Sequence, residues 1–305
     1  MKARAANVAV AVVALVVVTA AVVDVARHHA GNRGVARVAA RTLEIAGRAH
    51  IASALRARGA RGTLYVVDRG CKLHALVLPA LREVAAPRSG GCDALVSPST
   101  PPPGWSVWPP TARLAAWCDG RRVLVGASSG TALPLIGGCA PAWRPDGSIT
   151  YIRRGAIVQF PRTGRAQDLL SAPQVTAALG RGWRAERIAW LGTDRLALVA
   201  SRGPNFVLAL FSGKDVAARI RVLPGTDLRA SLRGTFVGAR STDGVQVYDA
   251  RVGLRRVSAS AKQTAVAWSP DERWVAVATK RDVVLRHGGE RVVLPLSAVD
   301  LAWTR

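Results

Sequence analysis

The stretch Pro141–Gly147 reads P-A-W-R-P-D-G: an apolar pair, a tryptophan and then a Pro-Asp-Gly turn. Related stretches recur as I-A-W-L-G-T-D at Ile188–Asp194, V-A-W-S-P-D-E at Val266–Glu272 and L-A-W-T-R at Leu301–Arg305. A short apolar run that ends at a turn signal is typical of a β-strand followed by a hairpin. Recurrence of this unit predicts a repeat architecture built from strands.

Short apolar runs separated by Gly, Pro, Asp and Ser continue from Thr63 to the C-terminus, which predicts an all-β domain. The runs group into units of about 35–50 residues with four strands each, the size of a propeller blade. We therefore expect a β-propeller. The clearest unit predicts strands at Ala140–Arg144, Ser148–Arg153, Ala156–Pro161 and Arg165–Leu170.

The two ends of the chain predict how the propeller closes. The first unit begins with T-L-Y-V-V at Thr63–Val67 and lacks a leading strand, whereas V-D-L-A-W at Val299–Trp303 is a leading strand with nothing after it. Five full units and one split unit predict six blades, and pairing of the C-terminal strand with the N-terminal three removes free sheet edges. A competing assignment takes Ile51–Arg56 as the first leading strand, but it leaves Val299–Trp303 without a blade. We also expect a leading strand in the unit that begins at Asp93 and a helical turn near Ala172–Leu179.

The four cysteines form two pairs with the same spacing, because Cys71 and Cys92 are 21 residues apart and so are Cys118 and Cys139. In the expected blades, the first member of each pair lies at the turn between second and third strands. The second member opens the next leading strand on the same face of the disc. This predicts two equivalent disulfides and an oxidising compartment, with free thiols in a cytosolic domain as the alternative. Neither pair has the spacing of a zinc site.

The N-terminus carries an apolar segment, Ala5–Val23, that contains no charge. Its 19 residues match the roughly 17–25 that span a bilayer and exceed the core of about 7–15 in a signal peptide. An uncleaved signal anchor is favoured over a cleaved signal peptide or a buried soluble helix. We expect a transmembrane anchor in residues 1–26, a basic juxtamembrane helix or stalk in 27–61 and the propeller in 62–305.

Residues Gly34–Arg58 predict a basic amphipathic helix. Such a helix either lies on anionic headgroups or packs as a stalk against the domain that it carries. Arginines that follow the apolar segment closely, such as Arg27 and Arg33, do not place the propeller outside by the positive-inside rule. The cysteine pattern places the propeller outside the cytoplasm. We therefore expect a single-pass membrane protein with its propeller on the extracytoplasmic side.

The formal net charge of +24 raises the question of an anionic partner. The arginines are dispersed along the chain instead of forming runs with aromatic residues between them, which does not favour a nucleic-acid surface. Attraction to an anionic polymer or to lipid headgroups follows from the charge alone.

The segments Trp143–Gly147 and Trp268–Glu272 carry the core of the repeat. Repeated in four-stranded units behind a secretion signal, this core resembles the TolB-like (WD40-like) family of six-bladed propellers. The resemblance covers roughly Thr63–Arg305 and implies a periplasmic or extracellular propeller that binds other proteins through its faces. The units that begin at Asp93 and Leu228 depart from the pattern, and the chain has no separate N-terminal α/β domain like that of the family's namesake. Its specific partners therefore do not carry over.

Three acidic residues, Asp146, Asp194 and Asp271, stand in equivalent turns. They predict turn carboxylates that accept backbone N–H groups, with a ring of catalytic carboxylates as the alternative. Gly126–Gly130 matches G-x-S-x-G, but a nucleophile elbow joins a strand to a helix, and this segment joins two strands. No paired-acid motif, phosphate loop or EF-hand loop is present. The sequence thus predicts no catalytic residue, no cofactor and no metal site.

Two sets of tryptophans have different expected roles. The Pro-rich segment Ser97–Pro110 contains Trp105 and Trp108, which are candidates for an interaction loop. The repeated tryptophans are expected to pack between sheets as scaffold: Trp143, Trp190, Trp268 and Trp303.

Together these patterns favour a binding or scaffolding module for an unknown protein of the cell envelope over an enzyme. Two alternatives stay open. One is a propeller hydrolase or lyase that acts on an envelope polymer, and the other is a binder of anionic glycan or lipid.

Overall fold

The computed structural model describes residues 47–87, 113–127, 133–134, 137–160 and 165–305. Within them, residues 47–57 form helix α1 and Ala172–Leu179 forms helix α2. The first ten strands are β1 Gly62–Val67, β2 Leu73–Leu78, β3 Arg82–Val84, β4 Ala115–Cys118, β5 Val123–Gly126, β6 Leu133–Pro134, β7 Cys139–Trp143, β8 Ile149–Arg153, β9 Ala156–Phe160 and β10 Gln167–Leu170. The others are β11 Arg184–Leu191, β12 Arg195–Arg202, β13 Asn205–Ser212, β14 Asp215–Val222, β15 Asp227–Ala230, β16 Phe236–Ser241, β17 Gly244–Asp249, β18 Arg255–Ser260, β19 Gln263–Trp268, β20 Val275–Thr279, β21 Val283–His287, β22 Glu290–Leu294 and β23 Asp300–Thr304.

These strands form a β-propeller of antiparallel sheets. The four-stranded sheets have the orders β7-β8-β9-β10, β11-β12-β13-β14, β15-β16-β17-β18, β19-β20-β21-β22 and β23-β1-β2-β3. A further sheet, β4-β5-β6, has three strands. The described residues therefore contain five complete blades where the sequence predicted six. The predicted leading strand that would precede β4 begins at Asp93 and lies outside the described residues.

The propeller is closed by the C-terminal strand, as predicted. β23 pairs with β1 in a register that runs from Thr63 opposite Thr304 to Val67 opposite Asp300. The indole Nε1 of Trp303 also donates a hydrogen bond of 2.9 Å to the carbonyl of Arg61. The competing assignment of residues 51–56 as a strand is wrong, because these residues belong to α1.

Sheet position explains how hydrophobicity varies from strand to strand. β12 and β13 lie in the middle of their sheet, with neighbouring sheets on both faces, and they are buried almost throughout. The outermost strand β14 alternates between exposed and partly buried residues. Period-two alternation is therefore clear only at the rim of the blade, whereas inner strands form continuous apolar runs.

The two faces of the disc differ in the turns that form them. The upper face contains the turns between first and second strands, which contact one another from blade to blade. Arg144 Nε donates to the carbonyl of Thr193 (3.0 Å), and Arg233 N donates to Glu272 Oε1 (2.9 Å). Because each contact joins equivalent turns of adjacent blades, these turns share one face.

The lower face contains the turns between second and third strands. Arg69 Nη2 of the β1–β2 turn donates to the carbonyl of Lys280 in the β20–β21 turn (2.8 Å). The N–H of Gly138, at the start of the next blade, donates to the carbonyl of Arg121 in the β4–β5 turn (3.0 Å).

A disulfide joins neighbouring sheets on this lower face. Cys118 ends β4 and is bonded to Cys139, which opens β7, with 5.2 Å between the two Cα atoms. This is the predicted pairing at the predicted place. Cys71, in the β1–β2 turn, is also disulfide-bonded, and its predicted partner Cys92 lies outside the described residues.

The segment before β11 is a helix of eight residues, where the sequence predicted a helical turn. Ser171 is its N-cap, and its Oγ accepts a hydrogen bond from Gln174 N (3.4 Å) while Gln174 Oε1 accepts one from Ser171 N (2.8 Å). This reciprocal pair satisfies two N–H groups that would otherwise lack partners. Val175 and Leu179 are buried and attach the helix to the sheets.

The N-terminal predictions are only partly within the described residues. Residues 47–57 are helical, in agreement with the end of the helix predicted for Gly34–Arg58. Leu55 and Ala60 are buried in the compact unit that runs from Ala54 to Arg305. No helix in the described part of the chain is long and apolar enough to cross a membrane. The predicted span, Ala5–Val23, lies outside that part.

Deletion of residues 300–305 should abolish cooperative folding. The deletion removes the partner strand of β1 and the buried side chains of Leu301, Ala302 and Trp303, so that a hydrophobic sheet edge becomes exposed. We expect loss of a cooperative thermal transition by circular dichroism and rapid proteolysis. Removal of Arg305 alone is the control and should preserve the transition. A cooperative transition in the six-residue deletion would contradict closure by β23.

Removal of the Cys118–Cys139 disulfide should lower the free energy of unfolding by about 3 kcal/mol, since a cross-link of this loop length restricts the unfolded chain to that extent. Chemical denaturation of Cys118→Ser/Cys139→Ser measures the change. Treatment of this variant with a reductant should then affect only the bond of Cys71. Labelling of Cys118 or Cys139 in the unreduced native protein would disprove the bond.

Candidate functional site: the central channel

The first strands of the sheets surround a central cavity of about 970 Å³. This volume is at the upper end of the roughly 300–1,000 Å³ typical of ligand sites. Its walls come from β7, β11, β15, β19 and β23, together with Trp117 of β4 and Tyr65 of β1. The closed ring thus brings residues from both ends of the chain to one site.

The repeated tryptophans form part of this wall. Trp143, Trp190, Trp268 and Trp303 all line the cavity, and each is less than a tenth exposed. Two of their indoles contact the preceding sheet. Trp190 Nε1 donates to Thr150 Oγ1 (2.8 Å). The ring of Trp268 stacks on Phe236, with centroids 5.9 Å apart. The tryptophans therefore hold neighbouring sheets together and present their remaining surface to the channel.

The turn aspartates lie elsewhere. Asp146 Oδ1 accepts hydrogen bonds from the backbone N (2.8 Å) and the hydroxyl (2.6 Å) of Ser148. Asp271 Oδ1 accepts equivalent bonds from the Ser269 hydroxyl (2.6 Å) and Arg273 N (3.2 Å). Asp194 is exposed in the β11–β12 turn. None of the three aspartates is among the described residues that line the cavity, so they do not form a ring of carboxylates around it.

Arginines dominate the charge of the cavity wall. The only acidic side chain among the described lining residues is Asp227. A concave wall with one sign of charge attracts ligands of the other sign, which here means anions. The lining arginines are Arg113, Arg144, Arg187, Arg229, Arg233 and Arg305.

Arg144 is fixed at the upper mouth of the cavity. Its guanidinium lies 4.6 Å from the ring centroid of Trp190 and donates to the carbonyl of Thr193. Asp146 Oδ2 is 3.6 Å from its Nη1. A cation held over an indole in this way is attracted by the negative face of the ring. The repeated tryptophan therefore also positions a charge.

A buried ionic cluster crosses the channel between two blades. Arg229 Nη2 of β15 donates to Asp300 Oδ2 of β23, and these side chains are 15% and 2% exposed. Arg240 Nη2 donates to Asp227 Oδ2 (3.0 Å), while its Nη1 donates to the carbonyl of Val299 (2.6 Å). Arg229 and Arg240, which both belong to the β15–β18 sheet, thus bind the segment that closes the propeller.

Burial and charge act on the ionisable groups of the wall in opposite directions. Burial raises the pKa of Asp227, but Arg229, Arg240 and Arg187 outweigh it and hold that pKa below its ordinary value. Burial dominates at Asp300 and raises its pKa against the same two neighbouring arginines, Arg229 and Arg240. Near neutral pH, Asp227 is therefore charged and neutralises part of the arginine cluster.

The phenol of Tyr65 also faces this wall. Burial raises its pKa to about 12, although Arg113 and a hydrogen bond with Thr304 act in the opposite sense. Tyr65 is thus a neutral hydrogen-bonding group at physiological pH.

One polar cluster lies outside the channel lining. His74 Nε2 is 3.0 Å from Asp68 Oδ2, and its Nδ1 is 2.9 Å from Glu83 Oε1. The hydrogen bond to Asp68 and, less strongly, Glu83 raise the pKa of His74 against the effect of burial. The stability from these contacts is present below the ordinary histidine pKa and is lost as pH rises through the raised value. Among the described residues, no group of His, Cys, Asp and Glu has the arrangement of a metal site.

Comparison with known proteins adds the following. No family model matches the chain, and no curated protein matches it. Among solved structures, the chain is similar to the β-propeller domain of Myceliophteria_thermophila Cps50 (Swd1), with a TM-score of 0.46 and 13% sequence identity. That match covers 78% of this chain and 86% of the other. The assignment as a β-propeller rests on the sheets described above.

The sequence patterns did not identify the arginines and aspartates that give the cavity its charge. Arg229 and Asp300 are 71 residues apart, and neither belongs to a recognisable motif. Trp117 has a signal, since L-A-A-W-C-D-G at Leu114–Gly120 resembles the repeat core. The predicted interaction residues Trp105 and Trp108 lie outside the described residues.

Substitution of Asp300 by Ala should destabilise the protein by up to about 3–5 kcal/mol, because it removes the nearer of the two carboxylates that pair with the buried Arg229 and leaves Asp227 as the other. The double variant Asp300→Leu/Arg229→Met should recover much of this loss, since it removes both charges and keeps apolar volume. Urea denaturation of the three proteins measures the difference. Equal stability of Asp300→Ala and wild type would show that the pair is not buried in solution.

Proposed function

We propose that this protein is a membrane-anchored, extracytoplasmic β-propeller that binds a partner protein of the cell envelope at the upper mouth of its channel. The observation that carries the proposal is the cavity of about 970 Å³ with arginines and tryptophans in its wall. Guanidinium groups recognise carboxylates with paired hydrogen bonds, and indoles supply rigid apolar contact. An acidic segment of a partner protein would pair its carboxylates with these arginines and pack its apolar groups against these tryptophans.

Two arginines at this mouth are placed to contact a partner. Arg233 and Arg305 line the cavity and are exposed. The backbone N of Arg233 is held by Glu272, so that the turn is fixed while its guanidinium remains accessible. Arginine and tryptophan are enriched among residues that dominate binding energy at protein interfaces.

The proposed location has support from sequence and structure. Ala5–Val23 has the length and composition of a membrane anchor. The bond between Cys118 and Cys139 favours an oxidising compartment, because structural disulfides are rare in reducing ones. We also propose that a strand beginning at Asp93 completes a sixth blade. The resemblance to TolB-like propellers then favours a role in the envelope.

Binding is favoured over hydrolysis by the state of the acidic group in the cavity. Asp227, the one acid among the described lining residues, accepts hydrogen bonds from Arg240 and from Leu228 N. A carboxylate engaged in this way, with a lowered pKa, is poorly suited to general acid chemistry. A hydrolase or lyase acting on an envelope polymer is the alternative, and it needs a second acid near the channel.

Photo-crosslinking in intact cells tests the proposed mouth. A photo-reactive phenylalanine analogue in place of Arg233 should crosslink a discrete envelope protein. The same analogue in place of Arg273, which is exposed on the upper face but outside the described cavity lining, is the matched control and should not. Arg305→Glu should reduce the yield at position 233 severalfold, because it repels an acidic segment.

The products are identified by electrophoresis and mass spectrometry. Equal crosslinking of one protein from both positions, or none from position 233, would refute binding at the channel mouth. Adding Trp105→Ala/Trp108→Ala to the position-233 variant reports whether the predicted loop contributes.

A further inference from the structure

The lower face carries exposed basic side chains all around the disc. The turns on this face join second and third strands. In five of the six described sheets, an exposed arginine or lysine lies in such a turn or in the strand residue next to it. The turn between β16 and β17 is the exception and carries Asp243. The basic ring is defined by Lys72, Arg121, Arg154, Arg202, Lys280 and Arg281.

Two acidic residues of these turns accept hydrogen bonds from their own backbone, whereas Asp243 and Asp282 accept from threonine hydroxyls. Asp68 Oδ1 accepts a hydrogen bond from Lys72 N (2.9 Å). Asp119 Oδ1 accepts bonds from Arg121 N (3.0 Å) and Arg122 N (2.8 Å). Each of these two carboxylates therefore shapes a tight turn, and Lys72 and Arg121 beside them are exposed, while Arg122 bonds back to Asp119. Turn formation thus leaves positive charge outermost on this face.

The upper-face turns between first and second strands lack this excess. In its four described turns between first and second strands, basic and acidic residues are equal in number. The basic residues are Arg144, Arg195, Arg233 and Arg273, and the acidic ones are Asp146, Asp194, Asp271 and Glu272. Other exposed arginines, such as Arg61 and Arg305, also lie on the upper face, so the contrast between the two faces concerns these turns alone.

Residues 58–62 join the propeller away from the lower face. The chain reaches the propeller on the opposite side, where Arg58 forms an ion pair with Glu290 at the start of β22. Gly62 begins β1 beside Thr304, the last residue of β23.

We propose that the basic ring binds a linear polymer with repeated phosphate groups. Single exposed charges bind weakly in salt, but a polyanion that contacts several of them releases several condensed counterions and gains affinity from each. The charges are distributed over a broad face instead of one pocket, which fits a repeating ligand better than a single anion. This binding goes beyond the proposed function, since it uses the other face and another class of ligand.

Binding to inorganic polyphosphate tests the proposal. The full-length chain, purified in detergent, is titrated into fluorescently labelled long-chain polyphosphate over a range of salt concentrations, and affinity is read by anisotropy. The test variant removes one basic residue from each of four blades. It carries Lys72→Gln, Arg121→Gln, Arg154→Gln and Arg281→Gln. We expect at least about a tenfold loss of affinity at low salt, and a salt slope smaller by about one for each phosphate that the variant no longer neutralises.

A matched variant removes the same charge from elsewhere on the propeller. It carries Arg165→Gln, Lys214→Gln, Arg273→Gln and Arg291→Gln, all of them exposed in the structure and outside the lower-face turns. Its affinity and salt slope should stay close to those of wild type. Thermal melts of both variants establish that they are folded.

Three outcomes would overturn the proposal. Equal losses in the two variants would show that net charge alone attracts the polymer. Tighter binding of phosphatidylglycerol vesicles than of polyphosphate, with loss in the test variant, would assign the ring to a membrane surface. Equal binding of polyglutamate, which carries carboxylates and no phosphate, would show that the ring does not select a phosphate-bearing linear polymer.

Discussion

The pairing of β23 with β1 is the constraint on which the propeller depends. Each sheet buries its faces against two neighbours, and this is possible for all of them only when the series closes. The first and last strands therefore belong to one sheet, and the channel wall includes residues from both ends of the chain. Without this pairing the hydrophobic edge of β1 would be open, and the upper mouth would lose Trp303 and Arg305.

The closing strand also determines the charge of the channel. Asp300 stands at its beginning and binds Arg229 from another blade, and Arg240 binds the preceding carbonyl of Val299. These contacts neutralise part of the arginine cluster, whereas Arg233 and Arg305 at the mouth remain exposed. Closure thus divides the arginines of the wall into a structural group that is buried and a group that a ligand can reach.

The repeated motif is mainly scaffold, and what varies between its copies carries the candidates for function. Its tryptophans tie neighbouring sheets together, as Trp190 does through Thr150, and its aspartates shape turns, as Asp146 does. The residues that differ from blade to blade supply the charges of the channel and of the basic ring. The same division applies to the lower face, where Asp119 forms a turn and Arg121 beside it is exposed.

Local patterns in the sequence were sufficient for most of the described strands and for the closure, but they predicted only a helical turn where Ala172–Leu179 forms a helix. The strand predicted at Ala140–Arg144 is observed at Cys139–Trp143, and the spacing of Cys118 and Cys139 predicted their bond. Strand alternation and turn chemistry act over a few residues, so they can be recognised in one chain. The juxtaposition of Arg229 with Asp300, or of His74 with Asp68 and Glu83, depends on how sheets and turns meet. Only the tertiary structure decides which of many dispersed arginines are buried in ion pairs and which form a charged face, because burial depends on neighbours distant in sequence.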